Sequence, residues 1–496
     1  MAGVNSSQKF NNELDLKDLI WYNYCQCPNC ELTILSKRTF LKAAATLSSA
    51  AFLSACITTQ PSLNGQASNG FMGNMPLLTK AKTSDYSLKS GGSPTANQLD
   101  LAIQHAELNF EIFPDEKSIS ARSVLTMTTN TPRKLFSVDL DHLFDIQTVS
   151  INGQRLNEDQ FRNESGELII TTEQPIYGEF VVEIGYAGQP RAAVLAPWDG
   201  GFDWKKTPQG KHWIATAVQG EGCDLFWPCI DQPYGEIPKM DIYITVPDDL
   251  VAASNGTLQG VKTNESNRTS TYHWQTQSLH NTYAIALNIG PYEVIRDTYK
   301  SIYGNEFPMV FFHLDESAEN AKELFKEIGP MLDFFETVIG PYPFSSEKMG
   351  VVETSHLGME HQTINAYGNK YKIDDLGYDW LLHHEFAHEW FGNQLTNTDW
   401  DHMWLHEGFG TYMQPLYSQY LHGDMAYKAH LFKQRKFLKN KFPIVANRSQ
   451  TVAEVYDSVN GPSNDIYYKG SLVLHSLREL VGDDVFFNSI RLLVYG

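Results

Sequence analysis

The chain changes its hydrophobic rhythm partway along. From about Leu99 to Val294, apolar and polar residues alternate over short stretches, with Leu108, Phe110 and Ile112 in one and Ile242, Ile244 and Val246 in another. A period of two puts one set of side chains on one face of a strand, so these stretches predict half-buried β-strands. Asn152-Gly153 and Asn255-Gly256 supply turns between them. After about Arg296 the spacing becomes helical. Leu324, Ile328, Leu332 and Phe335 recur on one face, as do Val473, Leu477, Leu480 and Val481, with Gly482 placed to stop that helix. One run interrupts the helical half: Met349, Val351 and Val352, within Lys348 to Thr354, predict an edge strand. The pattern predicts a β domain over 99–295 and a mainly helical domain over 296–496.

The amino-terminal part reads as an address. Ser36-Lys37-Arg38-Thr39-Phe40-Leu41-Lys42 leads into an apolar stretch from Ala43 that ends at Leu53-Ser54-Ala55-Cys56. A basic start, a short apolar core and small residues before a cut site make residues 36–55 a secretory signal peptide. Its end resembles a bacterial lipobox, in which Cys56 becomes the lipidated first residue. Its start resembles a twin-arginine signal with Lys37 in place of the first Arg, which leaves the export route open. The expectation is an exported lipoprotein, membrane-anchored in the periplasm or outer cell envelope. Residues 1–35 form an unusual extension ahead of such a signal, suggesting a misassigned start, and their Cys25, Cys27 and Cys30 have no partner cluster for a metal site. Residues 56–98, rich in Ser, Gly, Thr and Asn, read as a flexible tether.

Composition narrows the function classes. The chain has 496 residues, 42% of them hydrophobic, enough for sizeable cores and inconsistent with global disorder. With 38 Lys+Arg against 58 Asp+Glu the net charge is -20, and no local basic patch offsets it, which excludes general nucleic-acid binding. No apolar run reaches the roughly 18 residues of a spanning helix, so a polytopic membrane protein is excluded. Six Cys are too few for a disulfide scaffold. With Cys56 lipidated, Cys223 and Cys229 remain in the mature chain; they read as buried free thiols, a disulfide being the alternative in an oxidising compartment.

Chemistry enters at His384-Glu385-Phe386-Ala387-His388. Asp379 can cap this segment and Gly392-Asn393 can stop it, so it predicts a helix. His384 and His388 then lie one turn apart and address one cation, while Glu385 sits beside them without ligating. Glu407 follows His388 after eighteen intervening residues, in Trp404-Leu405-His406-Glu407-Gly408-Phe409. A catalytic zinc takes three protein ligands and keeps a fourth position open, so His384, His388 and Glu407 are the predicted ligands of one Zn2+ per chain. Glu385 is the predicted general base.

On these motifs the sequence resembles the gluzincin zinc aminopeptidases of the aminopeptidase N family, related to the leukotriene hydrolase branch. Three further stretches follow the family's order. Gly358-Met359-Glu360-His361 is similar to the exopeptidase motif Gly-x-Met-Glu-Asn, with His361 in place of Asn. Gln219-Gly220-Glu221, followed by Trp227-Pro228-Cys229-Ile230-Asp231-Gln232-Pro233, is similar to the β-domain segment that reaches the active site. Tyr467-Tyr468-Lys469-Gly470 is similar to Tyr-x-Lys-Gly. The resemblance spans residues 99–496.

It implies an N-terminal, mostly antiparallel β-sandwich-like domain followed by a mainly α, thermolysin-like catalytic domain. It also implies hydrolysis of the N-terminal peptide bond of peptides. Tyr467 would hydrogen-bond the tetrahedral oxyanion; Tyr468 is the rival, and successive helical residues point about 100° apart, so only one of the two can face the metal. Glu360 and Glu221, with Gln219 from the same motif, would bind the substrate's free α-amino group. Two other functions fit the same residues: a non-catalytic, zinc-containing peptide-binding lipoprotein, and epoxide hydrolysis. The family usually adds a long helical domain after the catalytic one, so the end at Gly496 suggests a fragment.

Overall fold

A computed structural model describes residues 89–496. The proposed signal, Cys56 and most of the tether lie outside the described residues, as do Cys25, Cys27 and Cys30.

The alternating stretches assemble into a nine-stranded sheet. From one edge it runs Thr257–Asn264, Thr269–Thr276, Met240–Pro247, Leu101–Phe113, Ser118–Asp139, Glu167–Gly188, Asp145–Ile151 and Gln154–Arg155, with Phe161–Glu164 paired beside Glu167–Gly188. Pairing is antiparallel except between Leu101–Phe113 and Met240–Pro247. Met240, Ile242, Ile244 and Val246 are wholly buried, as a period of two requires. On the neighbouring strand Ala106, Leu108, Phe110 and Ile112 face inward, and Ile103 is out of phase with them. A bulge between Ile103 and His105 returns it to the buried face. A second, four-stranded sheet contains Gly201–Lys206 and His212–Ala217, and the latter strand delivers the chain to Gln219 and Gly220.

The second half combines a sheet with its helices. Five strands run in the order Tyr292–Lys300, Glu306–Leu314, Met349–Glu353, Asn365–Tyr367 and Gly358–Met359. The strand expected at an edge, Met349–Glu353, is therefore central: it has parallel partners on both sides and every residue is buried. A strand covered on both faces loses the polar alternation that marks an edge. The edge belongs to Gly358–Met359, next to Glu360.

The described residues form seven α-helices: α1 (Ala318–Val338), which lies in the chain between Glu306–Leu314 and Met349–Glu353, and, after the strands, α2 (Trp380–Trp390), α3 (Trp404–His422), α4 (Asp424–Arg435), the single turn α5 (Val452–Val455), α6 (Asp465–Val481) and α7 (Asp483–Tyr495). On α1 the predicted face of Leu324, Ile328, Leu332 and Phe335 is buried. On α6 the predicted face is not the one that packs. Val473 and Leu477 are half-buried and Leu480 is 68% exposed, whereas Ile466, Tyr467, Gly470, Ser471, Leu474 and Arg478 are buried. The cause is Gly470 against Gly408 of α3: a Cβ on Gly470 would lie 2.8 Å from the Gly408 Cα. Backbones this close leave no room for large side chains at the crossing.

Two further expectations change. Cys223 and Cys229 form a disulfide, with Cα atoms 6.3 Å apart. Cys229 is held by two backbone hydrogen bonds to Asp139 and Cys223 lies on a tight turn, which brings the thiols into reach. The carboxyl end of the predicted tether is also docked. Gly91 N donates to Asp231 Oδ2 at 3.0 Å, and Gln98 Nε2 donates to Asp139 Oδ1 at 2.6 Å.

The β half and the helical half meet across buried hydrogen bonds. Asn255 Nδ2 donates to the Gln362 carbonyl at 2.7 Å, Gly256 N to Thr363 Oγ1 at 2.8 Å, and Asn281 Nδ2 to the Gly392 carbonyl at 2.9 Å. These contacts fix the segment after Glu360, and the end of α2, against the β domain. Among the described residues no helix is long and apolar enough to cross a membrane.

Candidate metal centre and substrate cleft

The helix that carries the histidines starts at Asp379. Its carboxylate accepts from Leu381 N and Leu382 N at 3.0 Å, an N-cap worth about 1 kcal/mol, and also from the Tyr367 hydroxyl at 2.6 Å and Asn369 Nδ2 at 3.0 Å. From Leu381 to Trp390 the whole of α2 is buried, so its polar side chains need partners. Glu389 accepts from Thr363 N at 3.0 Å and Asn365 Nδ2 at 2.8 Å, tying α2 to the five-stranded sheet. His383 is boxed by aromatic rings, with Phe335 and Tyr417 centroids at 4.8 Å and 4.5 Å.

His384 and His388 project from a different face of α2. Their Nε2 atoms are 3.2 Å apart, and each lies 3.4 Å from Glu407 Oε2 on α3. Zinc with ligands about 2.0–2.1 Å away in a tetrahedron sets ligand atoms roughly 3.3–3.4 Å apart, so this triangle has the right size for it. The Nδ1 of His388 faces the Phe391 carbonyl at 3.0 Å, which leaves Nε2 free to ligate. Glu407 Oε2 is buried with no hydrogen-bond partner, as expected of an atom reserved for a cation. Burial disfavours a charge on His388, yet Glu360, Glu407 and Glu385 outweigh it and push its pKa up to about 10. The surroundings favour positive charge at this point. Burial likewise opposes the charge on Glu407, but the two imidazoles hold it well below the usual carboxylate range.

Beside the triangle opens a cleft with apolar walls that include Trp198, Leu357, Met359, Leu381 and Val452. Glu385 and Glu360 both line it. A Cβ at position 358 would lie 2.5 Å from Glu385 Oε1, which gives Gly358 a physical reason to be glycine. Met359 follows it on the edge strand as part of the wall. Glu360 Oε1 accepts from Gln219 Nε2 at 2.6 Å and from the Tyr283 hydroxyl at 3.2 Å, both supplied by the β domain. Burial raises both Glu360 and Glu385; the charge on Glu407 adds to both shifts, and Glu360 adds to that of Glu385. Carboxyl oxygens of both lie within 4.8 Å of each other and of His388, a concentration of acid that favours a cationic ligand.

Two expected site residues lie elsewhere. Glu221 does not line the cleft; its Oε2 is 2.7 Å from Arg191 Nη1, both side chains being almost wholly buried. A carboxylate taken out of water is held where a guanidinium compensates it. His361 is wholly buried, neither ring nitrogen has a hydrogen-bond partner, and it is absent from the cleft wall. Burial keeps its pKa well below the usual imidazole value, so it is neutral.

The tyrosine pair separates as adjacent helical residues must. Tyr467 lines the cleft and its hydroxyl is 2.9 Å from Glu407 Oε1, whereas Tyr468 stacks on Phe437 with ring centroids 5.0 Å apart. Two residues at the site have no counterpart among the sequence expectations. Tyr283 holds Glu360, and Tyr456 places its hydroxyl 2.9 Å from both Glu407 Oε1 and the Tyr467 hydroxyl. No spacing pattern announces either one, since Tyr283 sits on a short turn and Tyr456 ends a single helical turn.

Comparison with known proteins follows the same layout. Residues 102–284 match the Peptidase M1 N-terminal domain, and residues 327–495 match the Peptidase family M1 domain. Aminopeptidase M1 of Arabidopsis thaliana is 25% identical over 342 residues, which is 63% of this chain and 36% of that protein. Leucine aminopeptidase 2 of Eremothecium gossypii is 26% identical over 406 residues, 79% of this chain and 62% of that protein. The chain thus spans less than two thirds of the length of each of these relatives. In fold it is similar to the M1 zinc metallopeptidase of Deinococcus radiodurans solved with a Tyr-Ser-Ala substrate, with a TM-score of 0.68 at 23% identity, covering 82% of this chain and 89% of that one. From its two matched domains, its fold and its clustered motifs, the chain belongs to peptidase family M1.

Proposed function

We propose that the chain is a zinc aminopeptidase that removes the N-terminal residue of peptides. The observation that carries this reading is the ligand triangle of His384, His388 and Glu407 with two buried carboxylates, Glu385 and Glu360, on the cleft beside it. Zinc held there supplies a Lewis acid and lowers the pKa of a coordinated water to about 7. Glu385 takes the proton of the attacking water and passes it to the leaving amine, a role its raised proton affinity suits. The Tyr467 hydroxyl donates to the oxygen that gains negative charge.

Glu360 makes the reaction an exopeptidase one. Its carboxylate, oriented by Gln219 and Tyr283, can receive a substrate ammonium; a peptide that continued past this point would bring a neutral amide to a site built for a cation. With Glu221 bound to Arg191, Glu360 is the carboxylate that receives the amine. The names of the relatives, aminopeptidases, agree with this reading.

Zinc content, measured together with hydrolysis of aminoacyl chromogenic amides, tests it. One equivalent of zinc and cleavage of free but not N-acetylated substrates are expected. Equal cleavage of acetylated substrates would remove the exopeptidase claim. Glu385→Gln is expected to keep its zinc and lose roughly 10²- to 10⁴-fold in turnover.

The same proposal places the enzyme outside the cytoplasm, anchored by a lipid on Cys56, on the strength of residues 36–56. Mass spectrometry of the mature amino terminus is expected to find a diacylglyceryl cysteine. A soluble product that retains residues 36–55 would end that part of the proposal.

A further inference from the structure

Three oxygens meet behind the metal triangle. Glu407 Oε1, the Tyr456 hydroxyl and the Tyr467 hydroxyl lie 2.9 Å from one another on all three sides. Two phenols bring two hydrogens to these three contacts, so one contact always lacks a hydrogen. Either both tyrosines donate to Glu407, or one donates to Glu407 while the other turns its hydrogen elsewhere. Peptide cleavage requires the second state, with the Tyr467 hydrogen aimed at the developing oxyanion. Without another donor, Glu407 Oε1 would lose its phenolic hydrogen bond at the moment when charge at the site is greatest.

We propose that Tyr456 is a positioning residue: it remains the donor to Glu407 Oε1, keeping Oε2 aimed at the metal while Tyr467 serves the substrate. The inference rests on the zinc peptidase reading above. The fold makes the division of labour feasible, because the two phenols ride on different elements. Tyr467 belongs to α6, locked against α3 at Gly470 and Gly408. Tyr456 follows α5, which is fixed by its own capping box: Glu454 N donates to Thr451 Oγ1 at 3.2 Å and Thr451 N to Glu454 Oε2 at 2.9 Å. Ser90, from the docked end of the tether, adds its carbonyl as an acceptor for Val452 N at 3.5 Å. Tyr467 can therefore reorient its hydroxyl hydrogen without moving Tyr456.

The test reads zinc affinity on apo protein, by competition with a chromophoric chelator and with no substrate present. Y456F is expected to bind zinc roughly 10- to 100-fold more weakly than wild type, as loss of a partner that orients a ligand does, with the thermal midpoint of the apo protein unchanged. Y467F is expected to keep nearly wild-type zinc affinity and, at saturating zinc, to lose about 10²- to 10³-fold in turnover. Wild-type zinc affinity in Y456F overturns the assignment. So does an equal loss of affinity in Y467F, since the two phenols would then be interchangeable. A wild-type protein that takes up no zinc overturns the peptidase reading itself, and the two failures are distinguished in the same titration.

Discussion

A methyl group at position 358 would strike Glu385, and that contact shows how little tolerance the site has. The added Cβ would stand 2.5 Å from Glu385 Oε1 and 2.9 Å from Leu381 Cδ1. The carboxylate is the end of a flexible side chain, so it can yield, but only by leaving the position from which it would take a proton. Gly358→Ala is therefore expected to fold and to bind zinc like wild type while turnover drops, read as kcat at saturating zinc. A change confined to KM would show that the displaced carboxylate had kept its role. At this scale the sequence was most informative where a residue's chemistry depends on near neighbours: His384 and His388 share one turn, and that turn faces Glu407. It was least informative for Glu221 and His361. Both lie in motif-like segments, and both have settled in the interior against partners distant in sequence or in none at all.

Elements pack by shape as much as by hydrophobicity, and α6 illustrates the difference. Its apolar stripe of Val473, Leu477 and Leu480 predicted the buried face, but the helix packs through Gly470 and Ser471 with Tyr467 turned to the cleft. Hydrophobic periodicity finds a helix, and it does not find a contact that depends on missing side chains. Gly470→Val would drive two methyls into the Gly408 backbone. Strain of this kind costs typically about 1–3 kcal/mol and here would also shift Tyr467, three residues away on the same helix. Urea unfolding should show lower stability, and zinc-loaded protein should show reduced kcat. Loss of stability with kcat intact would separate the crossing from the placement of Tyr467. The central strand Met349–Glu353 follows similar logic, because burial on both faces removed the alternation that distinguishes a centre from an edge.

Across the whole molecule, Lys348 joins the two halves. Its ammonium reaches from the catalytic half to the carbonyls of Ser254 and Gly256 in the β half and lies over the Trp274 ring. Burial lowers its pKa from the ordinary 10.5 to about 7, with Glu347 and Glu389 opposing the shift. Between these values the unfolded chain holds a proton that the folded one has released, so Lys348 makes stability rise with pH across that window. Lys348→Met removes two donors at the domain junction and is expected to cost about 1–3 kcal/mol. The stability gap between wild type and variant should widen as pH rises from about 7 towards 10.5, measured by urea melts. A constant gap would mean that Lys348 keeps its charge throughout.

The sequence alone determined the order of a β domain before a helical one, the zinc-ligand spacing on α2 and α3, and the strongly acidic balance of the chain. Each is a local pattern or a sum over residues, readable without knowing what folds against what. Only the tertiary structure decided that Cys223 meets Cys229, that Arg191 takes Glu221, and that Tyr283 and Tyr456 stand behind Glu360 and Glu407. These are pairings between groups whose partner depends on which other groups share the same buried volume. In that interior an unpaired charge or hydroxyl costs more than any local preference contributes, so the choice of partner belongs to the packed molecule.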